Sequence, residues 1–267
     1  MSLRINSDFN GVTDPDAGAY IAAVEAADGQ LLEFAVGKAI NDFVVGCKND
    51  GIWNAIKASC ILAGARTLSG ALVPLAGTAP TNFNFVSGDY NRKTGLVGDG
   101  STKYLNSNRN SNSEPLNSQH AACFVSTSPS TAASGTNNFA VFLSAGASSG
   151  ETSFGRLNSN SANYFARSRR ADLSFDSVSG AGNTGFAGLS RSSSSQYNFR
   201  TGGQSAIISS NSSILANSTF SVFRDSNNSV SYNNGRLAFY SIGEAIDLAK
   251  LDSRVTAMIT AFGAAIP

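Results

Sequence analysis

The chain has 267 residues, of which 14% are charged, with a net charge of +1. That length accommodates one large all-β domain with an extension, and a core that needs neither disulfides nor a metal. The near-neutral balance excludes a bulk electrostatic pull toward nucleic acid or an anionic membrane. No apolar run reaches about 18 residues, so no membrane span is predicted.

Residues 1–66 read as helical. The opening Met1-Ser2-Leu3-Arg4-Ile5-Asn6 lacks the apolar stretch of a secretory signal, so synthesis and assembly in a cytoplasm are expected. Asp14-Pro15 is an N-cap followed by proline at the first helical position, with Tyr20, Ile21, Val24 and Ala27 on one face. Asp28 is read as the cap of a second helix, striped by Leu32, Val36, Ala39, Ile40 and Phe43 and stopped at Gly46. A third helix is read from Asp50 through Ile52, Trp53, Ile56 and Cys60 to Gly64, with Trp53 buried. None is long enough to stand alone. Residues 1–66 are therefore expected to dock on a β body, or on a neighbouring subunit, as an assembly region.

Residues 67–267 change texture to short apolar runs broken by Gly, Asn and Ser. Strands are predicted at 67–75, 96–105, 119–127, 138–145, 152–158, 163–169, 185–191, 196–200, 206–209, 219–224, 230–233 and 236–242. Tyr197 and Phe199 lead through Gly202-Gly203 to Ala206 and Ile208 as a hairpin, and Phe220 and Val222 lead through 225–228 to Val230 and Tyr232 as another. Residues 139–143 are apolar on both faces, which suits an interior strand. So many short strands make a mainly β, antiparallel sandwich or barrel. A final helix is capped by Asp247, with Leu248, Leu251, Val255, Met258, Ile259 and Phe262 on its core face.

Few residues suggest chemistry. Cys47, Cys60 and Cys123 lack paired spacing and read as buried thiols. His120, the only histidine, has no nucleophile elbow near it and reads as a structural residue at a strand edge. Gly98-Asp99-Gly100 reads as a turn, because no Gly-Lys-Ser/Thr follows. Oxygens at 14–16 and 225–228 could hold calcium, but capping and hairpin chemistry explain them without a metal. Arg167, Arg169 and Arg170 read as a solvated strand edge or a contact to an acidic neighbour, with Arg167 and Arg169 on one face. The five glutamates are Glu25, Glu33, Glu114, Glu151 and Glu244. No predicted strand carries the alternating acid pair a sandwich glycosidase needs. Glu114 and Glu151 are read in loops. No enzyme, cofactor or metal is expected, and no catalytic residue is assigned. Tyr197, Tyr232 and the asparagines of 106–112 and 225–234 are the candidate sugar contacts.

Three segments carry a resemblance. Residues 95–105 (GLVGDGSTKYL), the strand at 120–127, and 234–246 (NGRLAFYSIGEAI) resemble the early and closing strands of the concanavalin A-like, laminin-G-like jelly roll. Separately, Phe43–Lys48, Gly51-Ile52-Trp53, 57–66 and 78–82 are similar to a module recurring in tail-fibre and other structural proteins of tailed bacteriophages. The resemblance implies a jelly-roll sandwich serving as a virion-exposed structural protein. The helical module begins by Asp14, with no shaft before it, which favours a short fibre or capsid decoration protein over a full-length fibre. Implied partners are other virion proteins, a second and third copy in a homo-oligomer such as a trimer, and a host-surface glycan. The alternatives are a free bacterial carbohydrate-binding module and, less favoured, a glycoside hydrolase.

Overall fold

The computed structural model describes residues 11–130, 139–146, 149–157, 163–170, 174–179, 182–227 and 231–267. The helices are α1 (Pro15–Asp28), α2 (Phe34–Asn49), the single turn α3 (Leu68–Ala71) and α4 (Leu248–Ala265). Asp14 caps α1 by accepting from the N–H groups of Asp16 and Ala17, and Asp247 caps α4 through Ala249 and Lys250. No helix among the described residues is long and apolar enough to cross a membrane.

Two antiparallel sheets lie under these helices. The first contains β1 (Ile56–Ile61), β2 (Pro74–Ala76), β4 (Tyr90–Asn91), β5 (Gly95–Val97), β7 (Gln119–Thr127), β12 (Gly185–Arg191), β13 (Gln196–Thr201), β14 (Gln204–Ser209) and β16 (Arg236–Gly243). Its order is β14-β13-β12-β7-β16-β1-β2, with β5 joined to β16 and β4 to β5. The second contains β3 (Thr81–Phe83), β6 (Tyr104–Asn110), β8 (Phe139–Ala145), β9 (Glu151–Leu157), β10 (Asn163–Arg170), β11 (Asp176–Ser179) and β15 (Thr219–Val222), in the order β11-β10-β9-β8-β15-β6-β3.

Strand alternation divides the core in two. In β7, Ala121, Cys123 and Val125 face the second sheet, while Ala122 and Phe124 face the helices. The helical side packs α2 against α4 and both against the first sheet, where Phe43 meets Phe239 edge-on at 5.8 Å. Full burial of each such ring contributes about 1.5–3 kcal/mol. Burial lifts the thiols of Cys47 and Cys60 to about 12, so they pack as small apolar groups.

The sandwich, α1, α2, the hairpin β13–β14 and α4 form as the sequence predicts. Gly202 and Gly203 turn that hairpin with φ of 56° and 76°, a conformation that suits glycine. Several elements differ. The third helix does not form: Trp53–Ala55 make one 3-10 turn, and β1 follows. Ile52, Trp53, Ile56 and Cys60 fit helical spacing, but Ala58, Cys60 and Leu62 alternate toward the inter-sheet core. Pairing with β16 and β2 on either side then satisfies the backbone of β1.

Asp28 ends α1 and does not cap α2; its carboxylate accepts from Arg66 N (2.6 Å), Thr67 N (2.8 Å) and Thr67 Oγ1 (2.6 Å). Helix α2 also runs past Gly46. A Cβ there would lie 2.7 Å from Arg254 Cδ, so this glycine admits the α2–α4 contact. The strand predicted at 67–75 is replaced by α3, which Thr67 caps, and by β2. The strand predicted at 96–105 is split between sheets. Between β5 and β6 the chain turns at Asp99, whose carboxylate accepts from the N–H groups of Ser101, Thr102 and Lys103. Of the hairpin predicted after Val222, the described residues show the antiparallel bridge of Arg224 to Tyr232, flanked by Asp225 N to Ser231 O (3.1 Å) and Asn233 N to Phe223 O (2.8 Å); residues 228–230, with the predicted Val230, lie outside the described ones.

Candidate functional site

Register places two rows of side chains on opposite faces of the second sheet. Leu105, Val222, Leu143, Phe154 and Ala166 are cross-strand neighbours and enter the inter-sheet core. The adjoining row is Thr81, Asn106, Ser221, Ser144, Ser153 and Arg167, on the face turned away from the first sheet. It is almost entirely hydroxyl and amide.

One end of this face forms an open shelf. Phe83 and Tyr104 are a cross-strand pair on β3 and β6, with rings stacked at 4.2 Å and 5° between planes. Phe83 is 36% exposed. The Arg224 guanidinium lies against Tyr104, 3.4 Å from its centroid, and Tyr232 closes the back edge-on at 6.4 Å. Beside the stack, Asn106 Oδ1 accepts from Asn108 N (2.9 Å), and its NH₂ has no partner among the described residues. Asn108 holds Ala79 O (2.9 Å) and Thr81 Oγ1 (3.1 Å). The backbone around the shelf is strained. Among the described residues four non-glycines have positive φ, and three of them border it: Asn84 (67°), Asn108 (57°) and Phe223 (75°). For a ring as bulky as Phe223 this costs about 1–3 kcal/mol. The twist sends Phe223 into the core against Phe85, while Arg224 goes out to the shelf.

Next to the shelf the row sinks into a buried network. Glu151 Oε2 is paired with Arg167, and Glu151 Oε1 accepts from Ser153 Oγ (2.6 Å). Across β8, Ser144 Oγ donates to Asp225 Oδ1 (3.1 Å), while Ser226 Oγ donates to Gly146 O (2.8 Å). Burial pushes the Glu151 carboxyl above its ordinary range; Arg167 and Ser153 pull against this, and the Asp225 charge adds to it. Glu151 is thus the first residue of β9, not a loop residue, and it shares an electrostatic neighbourhood with Asp225. Strand spacing could not reveal that pair, since Glu151 opens β9 and Asp225 lies in the loop after β15.

The other residues singled out from the sequence are dispersed. Tyr197 is 1% exposed and its hydroxyl donates to Asp176 Oδ2 (2.8 Å), so it is no sugar contact. Tyr232, 6% exposed, is a wall of the shelf and not a surface ring. Asn110 and Asn112 both donate to Asn217 Oδ1, while Asn233 Oδ1 accepts from Gly235 N and Asn234 bonds Ser130, so these asparagines hold loops together.

The arginine cluster is not a solvated edge, and Arg167 and Arg169 do not share one. Arg169 adopts φ 52° and turns to the carbonyls of Pro115, Ser111 and Glu114, whereas Arg170 chelates Asp176 at 2.9 and 3.0 Å. His120 lies inside the first sheet, since β7 runs between β12 and β16. Trp53 is half-buried with Lys48 Nζ 5.8 Å from its ring centroid. Lys48 also bridges Asp14 and Asp16, filling the place where the sequence offered oxygens to a cation. No group of three His, Cys, Asp or Glu among the described residues is placed to hold a metal. Sequence reasoning missed Phe83, Tyr104 and Arg224. Their signal is the alternation of Thr81 with Phe83 and of Tyr104 with Asn106.

No protein-family model matches the chain, and no curated protein sequence matches it either. Among solved structures it is similar to a mutant of Trypanosoma rangeli sialidase displaying trans-sialidase activity (10% identity, TM-score 0.49, 82% of this chain and 39% of that one). It is also similar to domain 4 of AbnA, a GH43 extracellular arabinanase from Geobacillus stearothermophilus, in complex with arabinotriose (10%, 0.42, 67% and 82%). A third is the CBM40 of a Ruminococcus gnavus IT-sialidase (10%, 0.37, 52% and 82%). The chain spans less than two fifths of that T. rangeli sialidase.

Proposed function

We propose that the chain is a non-enzymatic, lectin-like sandwich that binds saccharides on the Phe83–Tyr104–Asn106 shelf, as an exposed component of a bacteriophage particle. The observation that carries the binding reading is the half-open Phe83–Tyr104 stack beside the unengaged Asn106 amide and the Thr81 hydroxyl. A pyranose offers an apolar C–H face for such a ring and hydroxyls for such an amide, and a few placed polar groups beside apolar surface are what a small-ligand site needs. Turnover is disfavoured because both Glu151 oxygens are engaged, by Arg167 and Ser153. The particle assignment rests on the resemblance of 43–82 to tailed-phage structural modules. Phe83→Ala is expected to weaken glycan binding about tenfold or more, the scale of losing an aromatic anchor, with the circular dichroism spectrum unchanged. A glycan array and calorimetry read this out. Equal binding by wild type and variant sinks the shelf assignment, and release of free sugar sinks the non-enzymatic one.

Self-association is part of the same proposal and runs through β14. The other sheet edges are blunted: β2 begins with Pro74, β4 has two residues, β3 follows Pro80 with three, and β11 carries Asp176. By contrast β14 (Gln-Ser-Ala-Ile-Ile-Ser) is uncharged, and Ile207 is 68% exposed. Around a two-fold axis the same strand meets itself antiparallel, so a charge near the axis meets its own like charge and an uncharged edge is the one that can pair with itself. The two-residue turn makes Thr201–Gln204 a hydrogen-bonded pair, which points the Ile207 N–H away from β13. Ile207→Pro therefore deletes an outward donor without touching the hairpin. Wild type is expected to sediment as a dimer and this variant as a folded monomer; a dimer that persists in the variant refutes β14 as the interface.

A further inference from the structure

Twelve arginines lie among the described residues, and eleven of them reach a carboxylate or a main-chain carbonyl. Arg66, Arg92, Arg109, Arg167, Arg170, Arg200 and Arg254 pair with acids. Arg156, Arg169, Arg191 and Arg236 bond carbonyl oxygens. Arg224 does neither. Its Nη1 meets only the Tyr232 hydroxyl at a long 3.5 Å, and its Nε is buried without a partner. Nη2 has no partner among the described residues and, unlike Nε, is not fully enclosed.

A guanidinium left this way lacks the charge-assisted bonds that normally stabilise it. The surroundings nevertheless fix it in place. Tyr104 lies under its plane, Phe83 backs Tyr104, and the strained backbone at Phe223 turns it out from the core. A planar fork with a free edge, on the face of Tyr104 opposite Phe83, matches the two oxygens of a carboxylate or of a sulfate ester on a saccharide laid across the edge of that stack. Among the described residues no ion pair joins it to the neighbouring Asp225, whose Oδ1 takes Ser144 Oγ and Asn227 N.

We propose that the shelf selects saccharides bearing an anionic substituent, which Arg224 receives on its Nη edge. This rests on the saccharide-binding reading above and adds the class of sugar. The test uses the full chain and matched oligosaccharide sets of identical backbone, ending in glucose, glucuronic acid or a sulfated glucose. Calorimetry is expected to show an anionic member bound about tenfold tighter than the neutral one. That ratio should shrink between about 50 and about 500 mM salt. The carboxylated and sulfated arms say which anion the fork accepts. Arg224→Gln should bring the anionic-to-neutral ratio to near one, and Arg224→Lys should retain part of it, since the charge survives without the fork. Neutral sugars bound as tightly as anionic ones, or a preference that survives Arg224→Gln, overturns the selection while leaving saccharide binding intact. No binding to any member overturns both.

Discussion

Replacing Arg167 with alanine is expected to destabilise the chain by about 3–5 kcal/mol, because it strands a buried carboxylate. Glu151 is 6% exposed, and among the described residues its two oxygens bond Arg167 and Ser153. The guanidinium also donates to Ser174 O at 2.9 Å, so the substitution removes that bond as well. Equilibrium urea unfolding measures the loss. The pH dependence then identifies its origin. A carboxyl whose folded-state pKa is raised contributes stability below its unfolded value, about 4.3, and loses it as pH rises through the folded value. Burial already raises Glu151 in the intact protein, and removing the cation raises it further. The deficit of Arg167→Ala should therefore be largest near neutral pH and shrink toward about pH 4, where the stranded group is protonated. Adding Glu151→Gln to the variant should recover much of the loss at neutral pH. A deficit that does not change with pH, and is not relieved by the glutamine, would show that packing and not charge holds this part of the sheet.

The same residues show why only part of the site was legible. Strands of seven or more residues, such as β7 and β12, announce themselves by length and by a near-continuous apolar run, and α1 and α4 by their aspartate caps. The strands that build the shelf do not. Three residues of β3 carry no periodicity that separates them from a loop, and Phe83 gains meaning only when register sets it against Tyr104. Likewise the acids Glu151 and Asp225 could be linked only by topology, since Ser153 and Ser144 connect them across β9 and β8. A search for alternating acids within one strand tests a single way of assembling a pair. The misread third helix follows the same logic in reverse. Its apolar spacing satisfies a helical period locally, and the long-range partners β16 and β2 decide against it.

The second large effect is acid sensitivity centred on His120. Its ring is fully buried between β12 and β16, with Nδ1 donating to Glu244 O (2.5 Å) and Nε2 accepting from Ser241 Oγ (2.8 Å). That tautomer leaves no lone pair facing water. Burial depresses its pKa from 6.5 to about 4, with the Glu244 carbonyl pulling the other way. The folded chain therefore holds the ring neutral where the unfolded chain binds a proton. Stability from this group is present above about 6.5 and is lost as pH falls toward about 4. At about 1.4 kcal/mol per tenfold change in proton affinity, the loss amounts to about 3 kcal/mol. Glu151 runs in the opposite sense, so the total slope of the wild type mixes the two. Comparison with His120→Asn isolates the histidine: the variant is less stable at neutral pH, and its stability should fall less steeply between about pH 6.5 and 4. Because the chain has one histidine, its Hε1 gives a single resonance, which should titrate near pH 4 in the folded protein. Titration near 6.5, or parallel slopes for the two proteins, would mean that water reaches the ring and that the sheet opens there at little cost.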